Sequence, residues 1–367
     1  MPLRFTPFHR LDGRPNVVVD GSPTVGTVLT LTHWPGHPPP AGLGRDTSAQ
    51  MAFAYLDAGA PLHGAAAEVS NNHFDQDGLV GRLGLTCPEV AVGRRALLEA
   101  VAAAGDFAVW TDRRAARLAT AIAAWADPDH DAADSEAADH EAADSERPAG
   151  DAPGLGAAGG ALPDEYAERT GRLYAELLGR LPEWCDDPDR ARPLWEQDDA
   201  ELDAALALLE DGAVVLRERP EIDLAVLELP ESGPGAGLRG GRRFAHQRVA
   251  GLHPMAVTAA TDCNAVLTRQ GRRWHLRYRY ESWVTYRSRR PRPRRDLCAL
   301  AAQLAEVDPA GGVWVADQSG DLEPVLATVD GTESGLDAAV VEGLVANHLA
   351  SAPADWDPYR AERGLQL

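Results

Sequence analysis

Asn71-Asn72-His73-Phe74-Asp75-Gln76-Asp77-Gly78-Leu79-Val80-Gly81 sets one imidazole and two carboxylates at alternate positions, directly behind a short stretch, Ala67 to Ser70, that reads as a buried strand. Polar residues that follow a strand emerge at its carboxyl end, where open α/β sheets place their ligands. If the chain stays extended through Asp77, its period of two points His73, Asp75 and Asp77 to one side. Gly78 then permits a tight turn, and Leu79 to Leu85 opens a helix whose N-terminus favours an anion. Strand, polar turn and helix in this order are the repeating unit of an α/β layer.

Working outward, Asn16 to Val19 and Val28 to Leu31 read as short strands, Thr47 to Asp57 as a helix, and Pro88 to Ala104 and Arg113 to Trp125 as Ala/Leu-rich helices. Strands alternating with helices predict an α/β fold for residues 1–126, a layered sheet flanked by helices. Helices at Asp164 to Leu181 and Asp198 to Glu210, and strands at Ala213 to Leu216 and Leu224 to Leu229, continue or link that domain across residues 163–230. Residues 231–367 read as a second, α+β domain. Its centre is a hairpin, Asn264 to Arg269 and Arg273 to Tyr286 about Gln270-Gly271, with Trp274, Leu276, Tyr278 and Tyr280 on one face and His275, Arg277 and Arg279 on the other. A strand at Gly312 to Ala316 and helices at Asp296 to Glu306 and Leu336 to Leu349 close it.

Charge is unevenly spread. The formal net charge is -21, yet Asp127 to Asp151 alone holds ten acids against one Arg, and DHDAADSE at 129–136 returns as DHEAADSE at 139–146. With no large apolar groups to offset the entropy of ordering, residues 127–162 are expected to be a disordered insertion, and its His130 and His140 to belong to a solvated linker. The opposite bias follows: Ala236 to Arg295 carries fifteen arginines against two acids, Asp262 and Glu281. Clustered guanidiniums suit bidentate recognition of phosphate or carboxylate. There is no lysine, which excludes a phosphate-loop lysine and a Schiff base. No Gly-x-Gly-x-x-Gly opens a helix after a strand, no Gly-x-Ser-x-Gly is present, and Cys87, Cys185, Cys263 and Cys298 form no Cys-x-x-Cys pair. No apolar run reaches the roughly 20 residues of a membrane span, and Met1-Pro2-Leu3-Arg4-Phe5 is not a signal peptide, so a cytoplasmic location is expected.

Imidazole with carboxylate suits a divalent metal, Mn²⁺ first, with Zn²⁺ or Mg²⁺ as alternatives. Candidate ligands beside His73, Asp75 and Asp77 are Asp20, which ends Val17-Val18-Val19; His33, which follows Leu29-Thr30-Leu31-Thr32; Asp46, before a helix; and Asp106, just past a helix end. Each also has an ordinary role open to it: turn former, surface His, N-cap and loop residue respectively. His37 falls in a Gly/Pro loop.

HFDQDGLVG at 73–81 resembles the first motif of the DHH phosphoesterases, in which a His precedes an Asp-x-Asp-(Ala/Gly) segment that binds Mn²⁺ at a strand end. The resemblance matches His73, Asp75, Asp77 and Gly78, and implies that Asp106 corresponds to that family's isolated metal aspartate. No Asp-His-His occurs; its nearest echo, Asp20-Gly21-Ser22, precedes the motif rather than following it, and the Gly-Gly-Gly-His segment is missing. More broadly, the segment 71–78, Gly105-Asp106-Phe107 and Arg279-Tyr280-Glu281-Ser282-Trp283-Val284 resemble the signature segments of an uncharacterised bacterial family.

These readings converge on a metal-dependent phosphoesterase-like hydrolase for a small phosphorylated or nucleotide-type molecule. Its catalytic residues would be His73, Asp75 and Asp77, its metal ligands Asp20, His33, Asp46, His73, Asp75, Asp77 and Asp106, and its substrate-binding residues Arg277, Arg279, Glu281, Arg287 and Arg292. Glu281 could order an arginine, act as a base, or simply pair with a neighbour. The alternative is an arginine-rich nucleic-acid or anion-binding protein without catalysis, which the net negative charge outside the patch disfavours. The oligomeric state stays open.

Overall fold

Val17, Val18 and Val19 are all fully buried, as expected of a β-branched run in the middle of a parallel sheet covered on both faces. They form β2 (Asn16–Val19) of a four-stranded sheet with β1 (Arg4–Phe5), β3 (Thr27–Leu31) and β4 (Glu68–Ser70), in the order β1-β4-β2-β3 and parallel throughout. The computed structural model describes residues 2–59, 63–127, 164–231, 252–317, 322–329 and 332–362. The acidic repeat with His130 and His140 lies outside the described residues.

Helix α1 (Ser48–Asp57) joins β3 to β4, and Thr47 caps it in a reciprocal capping box with Gln50. Helices α2 (Gln76–Thr86), α3 (Pro88–Val92), α4 (Arg95–Phe107) and α5 (Arg113–Trp125) follow β4. The helix expected over 88–104 is therefore broken at Gly93-Arg94 and runs on to Phe107, which puts Asp106 inside its last turn rather than beyond its end. After the undescribed segment, α6 (Asp164–Asp186) continues through Pro182, because Trp184 and Cys185 beyond it bury themselves in the helical core. Helix α7 (Arg192–Glu210) completes this layer.

The second sheet contains β5 (Val215–Arg219), β6 (Leu224–Leu229), β7 (Ala265–Gln270), β8 (Arg273–Tyr278), β9 (Trp314–Asp317) and β10 (Val325–Thr328), in the order β5-β6-β7-β8-β10-β9. Only β6 and β7 run parallel, and α8 (Pro254–Ala260) precedes β7. One face packs Trp274, Leu276 and Tyr278 on α9 (Leu297–Val307) and α10 (Ala338–Ser351). The other face presents Leu227, Leu229 and Val266 to a core shared with α2, α4, α5, α6 and α7. The molecule is thus a mixed α/β protein whose parallel sheet and mixed sheet share one block of helices.

The expected strand from Arg273 to Tyr286 stops at Tyr278. Beyond it the chain makes a short 3-10 turn, Tyr280–Ser282, and crosses to the parallel sheet, where the Thr285 backbone N–H and Oγ1 both donate to the His33 carbonyl, at 2.9 and 3.0 Å. The hairpin's basic face is covered too, since Arg277 and Arg279 are each only 2% exposed.

Candidate metal centre

Three of the parallel strands deliver chemistry at their carboxyl ends. Asp20 follows β2, His33 comes two residues after β3, and Asn71 to Asp77 follow β4; Asp106 arrives from the last turn of α4. One ligand atom from each of Asp20, His33, Asp77 and Asp106 lies within 4.8 Å of all the others, and the same holds for Asp20, His73 and Asp75. Asp20 belongs to both groups, and every member is buried.

The local structure differs from the alternation read in the sequence. The chain does not stay extended through Asp77, because Asp75 is the N-cap of α2: its Oδ1 accepts from the Gly78 N–H at 2.7 Å, and Gln76 is already helical. Asp77 reaches the cluster from the first helical turn. There its two oxygens accept the backbone N–H groups of Ser48 and Ala49, both at 2.7 Å, so it also anchors the N-terminus of α1. Gly78 is not a turn residue either. A Cβ there would stand 2.6 Å from Asn71 Nδ2 and from Tyr174 Oη, so its bare Cα is what lets α2 approach those groups. Gly105 serves α4 similarly, because a Cβ would meet Gln76 Cβ at 2.4 Å.

The two imidazoles sit in opposite electrostatic states. His33 Nδ1 lies 2.6 Å from the Asp46 carbonyl oxygen. A carbonyl can only accept, so Nδ1 carries the proton and Nε2 presents its lone pair. Burial holds the His33 pKa below its ordinary value despite the pull of Asp20, which keeps the ring neutral. That lone pair faces Asp20 Oδ1 and Asp106 Oδ2, each 3.5 Å away. His73 Nε2, by contrast, lies 2.8 Å from Asp75 Oδ2 and 3.2 Å from Asp20 Oδ2. Burial disfavours its charge, but Asp75 and Asp20 outweigh that and push the pKa up to about 10. Asp77 is raised well above the carboxylate range by burial, then by Asp20 and Asp75, against its two backbone hydrogen bonds.

Several neighbours carried no signal in the sequence. Ser48 Oγ donates to Asp20 Oδ1 at 3.0 Å. Tyr174 Oη donates to the His73 carbonyl at 2.8 Å, and the fully buried Arg82 guanidinium stacks over the Tyr174 ring, 3.2 Å from its centroid. Burial lowers the Arg82 pKa to about 10, with Tyr174, Asp75 and Asp20 holding it up. Trp34 packs on His73 with centroids 5.1 Å apart, and Tyr280 meets the His33 ring edge at 5.9 Å. The sole sequence clue to these aromatics was the Tyr280-to-Val284 segment, and no spacing rule tied it to His33.

Asp46 lies outside both ligand groups. Its side-chain Oδ1 accepts from the Arg287 and Ser288 N–H groups at 2.6 and 2.8 Å, and Thr47, not Asp46, caps α1. The arginines divide as well. Arg277, Arg279 and Glu281 line a small cavity together with Asp106, and Glu281 pairs with Arg279. Arg287 and Arg292 are exposed and elsewhere: Arg292 lines a separate cleft of about 580 Å³ with Asp223, Cys263 and Arg289.

Among the described residues no helix is long and apolar enough to cross a membrane. No curated protein and no solved structure matches the chain. A family model does match, over residues 1–149 and 155–360, and the chain accordingly belongs to DUF6687, a family of unknown function.

Proposed function

We propose that this protein is a divalent-metal-dependent phosphoesterase-like hydrolase acting on a small phosphorylated or nucleotide-type molecule. The observation that carries the metal is His33. A neutral imidazole whose bare Nε2 faces two carboxylate oxygens at 3.5 Å is an arrangement of three electron-rich atoms that a bound cation makes favourable. Its opposite nitrogen is fixed by a backbone carbonyl, the outer-shell bond that metal-binding histidines characteristically make. The donor set of carboxylates with imidazole fits Mn²⁺ best, with Zn²⁺ and Mg²⁺ as the alternatives. The likeness of His73-x-Asp75-x-Asp77-Gly78 to the first DHH phosphoesterase motif supports the same chemistry.

Asp20, His33, Asp77 and Asp106 would hold one ion, and beside it Asp20 and Asp75 hold the protonated His73. A bound divalent ion supplies Lewis-acid activation of water and of a phosphoryl oxygen. The chain's own groups do the rest. His73, protonated between Asp75 and Asp20, can give a proton to a leaving oxygen. Trp34 and Tyr280 cover the two imidazoles and keep bulk water off them. Asp77 holds the end of α1 against the site.

The test is a Mn²⁺-supplemented screen of phosphomonoester and phosphodiester substrates, wild type beside Asp75→Ala. The expected result is metal-dependent turnover that Asp75→Ala abolishes with the fold intact by circular dichroism. Equal turnover in the variant would remove Asp75 from the mechanism.

A further inference from the structure

The turn that carries His73 is organised by two side chains, one of them distant in sequence. Asn71 Oδ1 accepts the backbone N–H of Asn72 at 2.7 Å and that of His73 at 3.4 Å, which turns its amide nitrogen the other way. That nitrogen donates to Tyr174 Oη at 3.3 Å, and Oη donates to the His73 carbonyl at 2.8 Å. The amide gives a proton, the phenol has one to pass on and the carbonyl can only accept, so this chain of bonds runs in one direction. No main-chain N–H among the described residues donates to the His73 carbonyl. The Tyr174 hydroxyl is what satisfies it, and by bonding both ends it closes the turn.

Tyr174 stands on α6, 101 residues from His73 in the chain, and its ring is boxed in. The Arg82 guanidinium of α2 lies over it, 3.2 Å from the centroid, with the Phe74 ring at 4.8 Å and the Phe5 ring at 5.7 Å. Both Tyr174 and Arg82 are fully buried, and none of the three guanidinium nitrogens has a hydrogen-bond partner among the described residues. The faces of Tyr174 and Phe5 are thus the seat of that charge, and the charge in turn presses on the ring. Gly78 completes the fit, because a Cβ there would stand 2.6 Å from Oη.

The consequence is felt at the imidazole. His73 Nε2 lies 2.8 Å from Asp75 Oδ2, on its own turn, and 3.2 Å from Asp20 Oδ2, at the end of β2. Meeting both oxygens at once requires the turn to be held to within about 0.5 Å of its place beside β2. We propose that Tyr174, clamped by Arg82, is a positioning residue of the site: its hydroxyl fixes the turn 71–75 so that the His73 imidazole spans Asp75 and Asp20. The catalytic meaning of this rests on the hydrolase reading above; the positioning itself does not.

The experiment uses the full-length protein labelled with nitrogen-15 histidine and reads the ring nitrogens by long-range proton–nitrogen correlation, with His73 and His33 assigned from His73→Gln and His33→Gln. Tyr174→Phe removes the hydroxyl and keeps the ring under Arg82. It is expected to shift or broaden the His73 signals while leaving those of His33 in place and Mn²⁺ affinity unchanged. Tyr55→Phe, which removes a hydroxyl that meets His63 instead, should move neither histidine. Should Tyr174→Phe fail to fold, the wild type supplies a second reading: a slowly exchanging hydroxyl proton on Tyr174 is expected, and its absence would overturn the bond to the carbonyl. Under the hydrolase reading, Tyr174→Phe should also lower kcat by up to about 10²-fold, the cost of misplacing a group by about 1 Å, with KM unchanged. His73 signals unchanged in Tyr174→Phe, or His33 signals that move equally, would overturn the positioning role, the latter because it marks a general loss of packing. A wild type without turnover, with His73 still moved by Tyr174→Phe, would strike the hydrolase reading alone.

Discussion

His33 and His73 stand on either side of Asp20, both buried and both close to carboxylates, yet one presents a bare nitrogen, to a metal in the function proposed above, and the other holds a proton. The difference lies in what the second ring nitrogen and the backbone do. At His33 the Asp46 carbonyl accepts a hydrogen bond from Nδ1–H and leaves Nε2 bare toward Asp20 and Asp106. At His73 the same atom, Nε2, lies between Asp75 and Asp20 at hydrogen-bond distance and its pKa rises to about 10. Proximity to carboxylates therefore does not by itself make a ligand; the tautomer imposed from behind decides.

The sharpest way to break this comparison is to exchange the roles. His33→Gln is expected to lower metal affinity by more than the roughly 10–100-fold that follows loss of an outer-shell partner, and to abolish turnover. His73→Gln should retain stoichiometric metal at pH 7 while kcat falls by about 10²–10⁴, the range for loss of a general acid. Equal metal loss in the two variants, measured by elemental analysis after dialysis, would end the distinction.

Acidity separates them with opposite signs in the metal-free protein. The folded-state pKa of His73 is raised from 6.5 to about 10, so its stabilisation is complete below the unfolded value and disappears as pH rises through about 10. That of His33 is lowered from 6.5, so its contribution is present above that value and is lost as pH falls below it. Urea midpoints for the wild type should therefore decline on both flanks, with His73→Gln flattening the alkaline flank and His33→Gln the acid one. A flank that persists in its variant would assign it to other groups.

Smaller effects come from the frame around the pair. Gly105→Ala forces a methyl onto Gln76 and should cost about 1–3 kcal/mol by overpacking, without removing a charge. Asp46→Ala frees the Arg287 and Ser288 N–H groups, which lie near the surface, and should cost about 1 kcal/mol while leaving the carbonyl that orients His33. Denaturant unfolding reads both, and a larger loss of metal in Asp46→Ala than in Gly105→Ala would show that the side chain also positions that carbonyl.

Much of this was legible in the sequence, for identifiable reasons. The valine run before Asp20 and the strand-to-helix passage at Ser70 to Gln76 are local patterns, and an α/β sheet gathers whatever follows its strands at one edge. Asp20, His33, His73, Asp75 and Asp77 could be put forward on that basis, and Asp106 from its place at a helix end and the likeness to the DHH motif. The alternation through Asp77 misled, because a side-chain cap at Asp75 starts the helix earlier than periodicity suggests. Asp46 misled because what matters at that position is its main-chain oxygen, which any residue would supply. The arginine face read as a basic patch suited to phosphate or carboxylate; its burial against the first half is a tertiary fact, set by the turn at Tyr280 and the Thr285 bonds to His33, that no window of the sequence contains.

The central claim is that His33 with Asp20, Asp77 and Asp106 holds a divalent cation. It is tested most directly by titrating Mn²⁺ into the chelator-stripped wild type and His33→Gln at pH 7, following free Mn²⁺ by electron paramagnetic resonance. Stoichiometric binding in the wild type that is lost in His33→Gln is the predicted result. Absence of binding in the wild type, or binding that is unchanged without the imidazole, would contradict it.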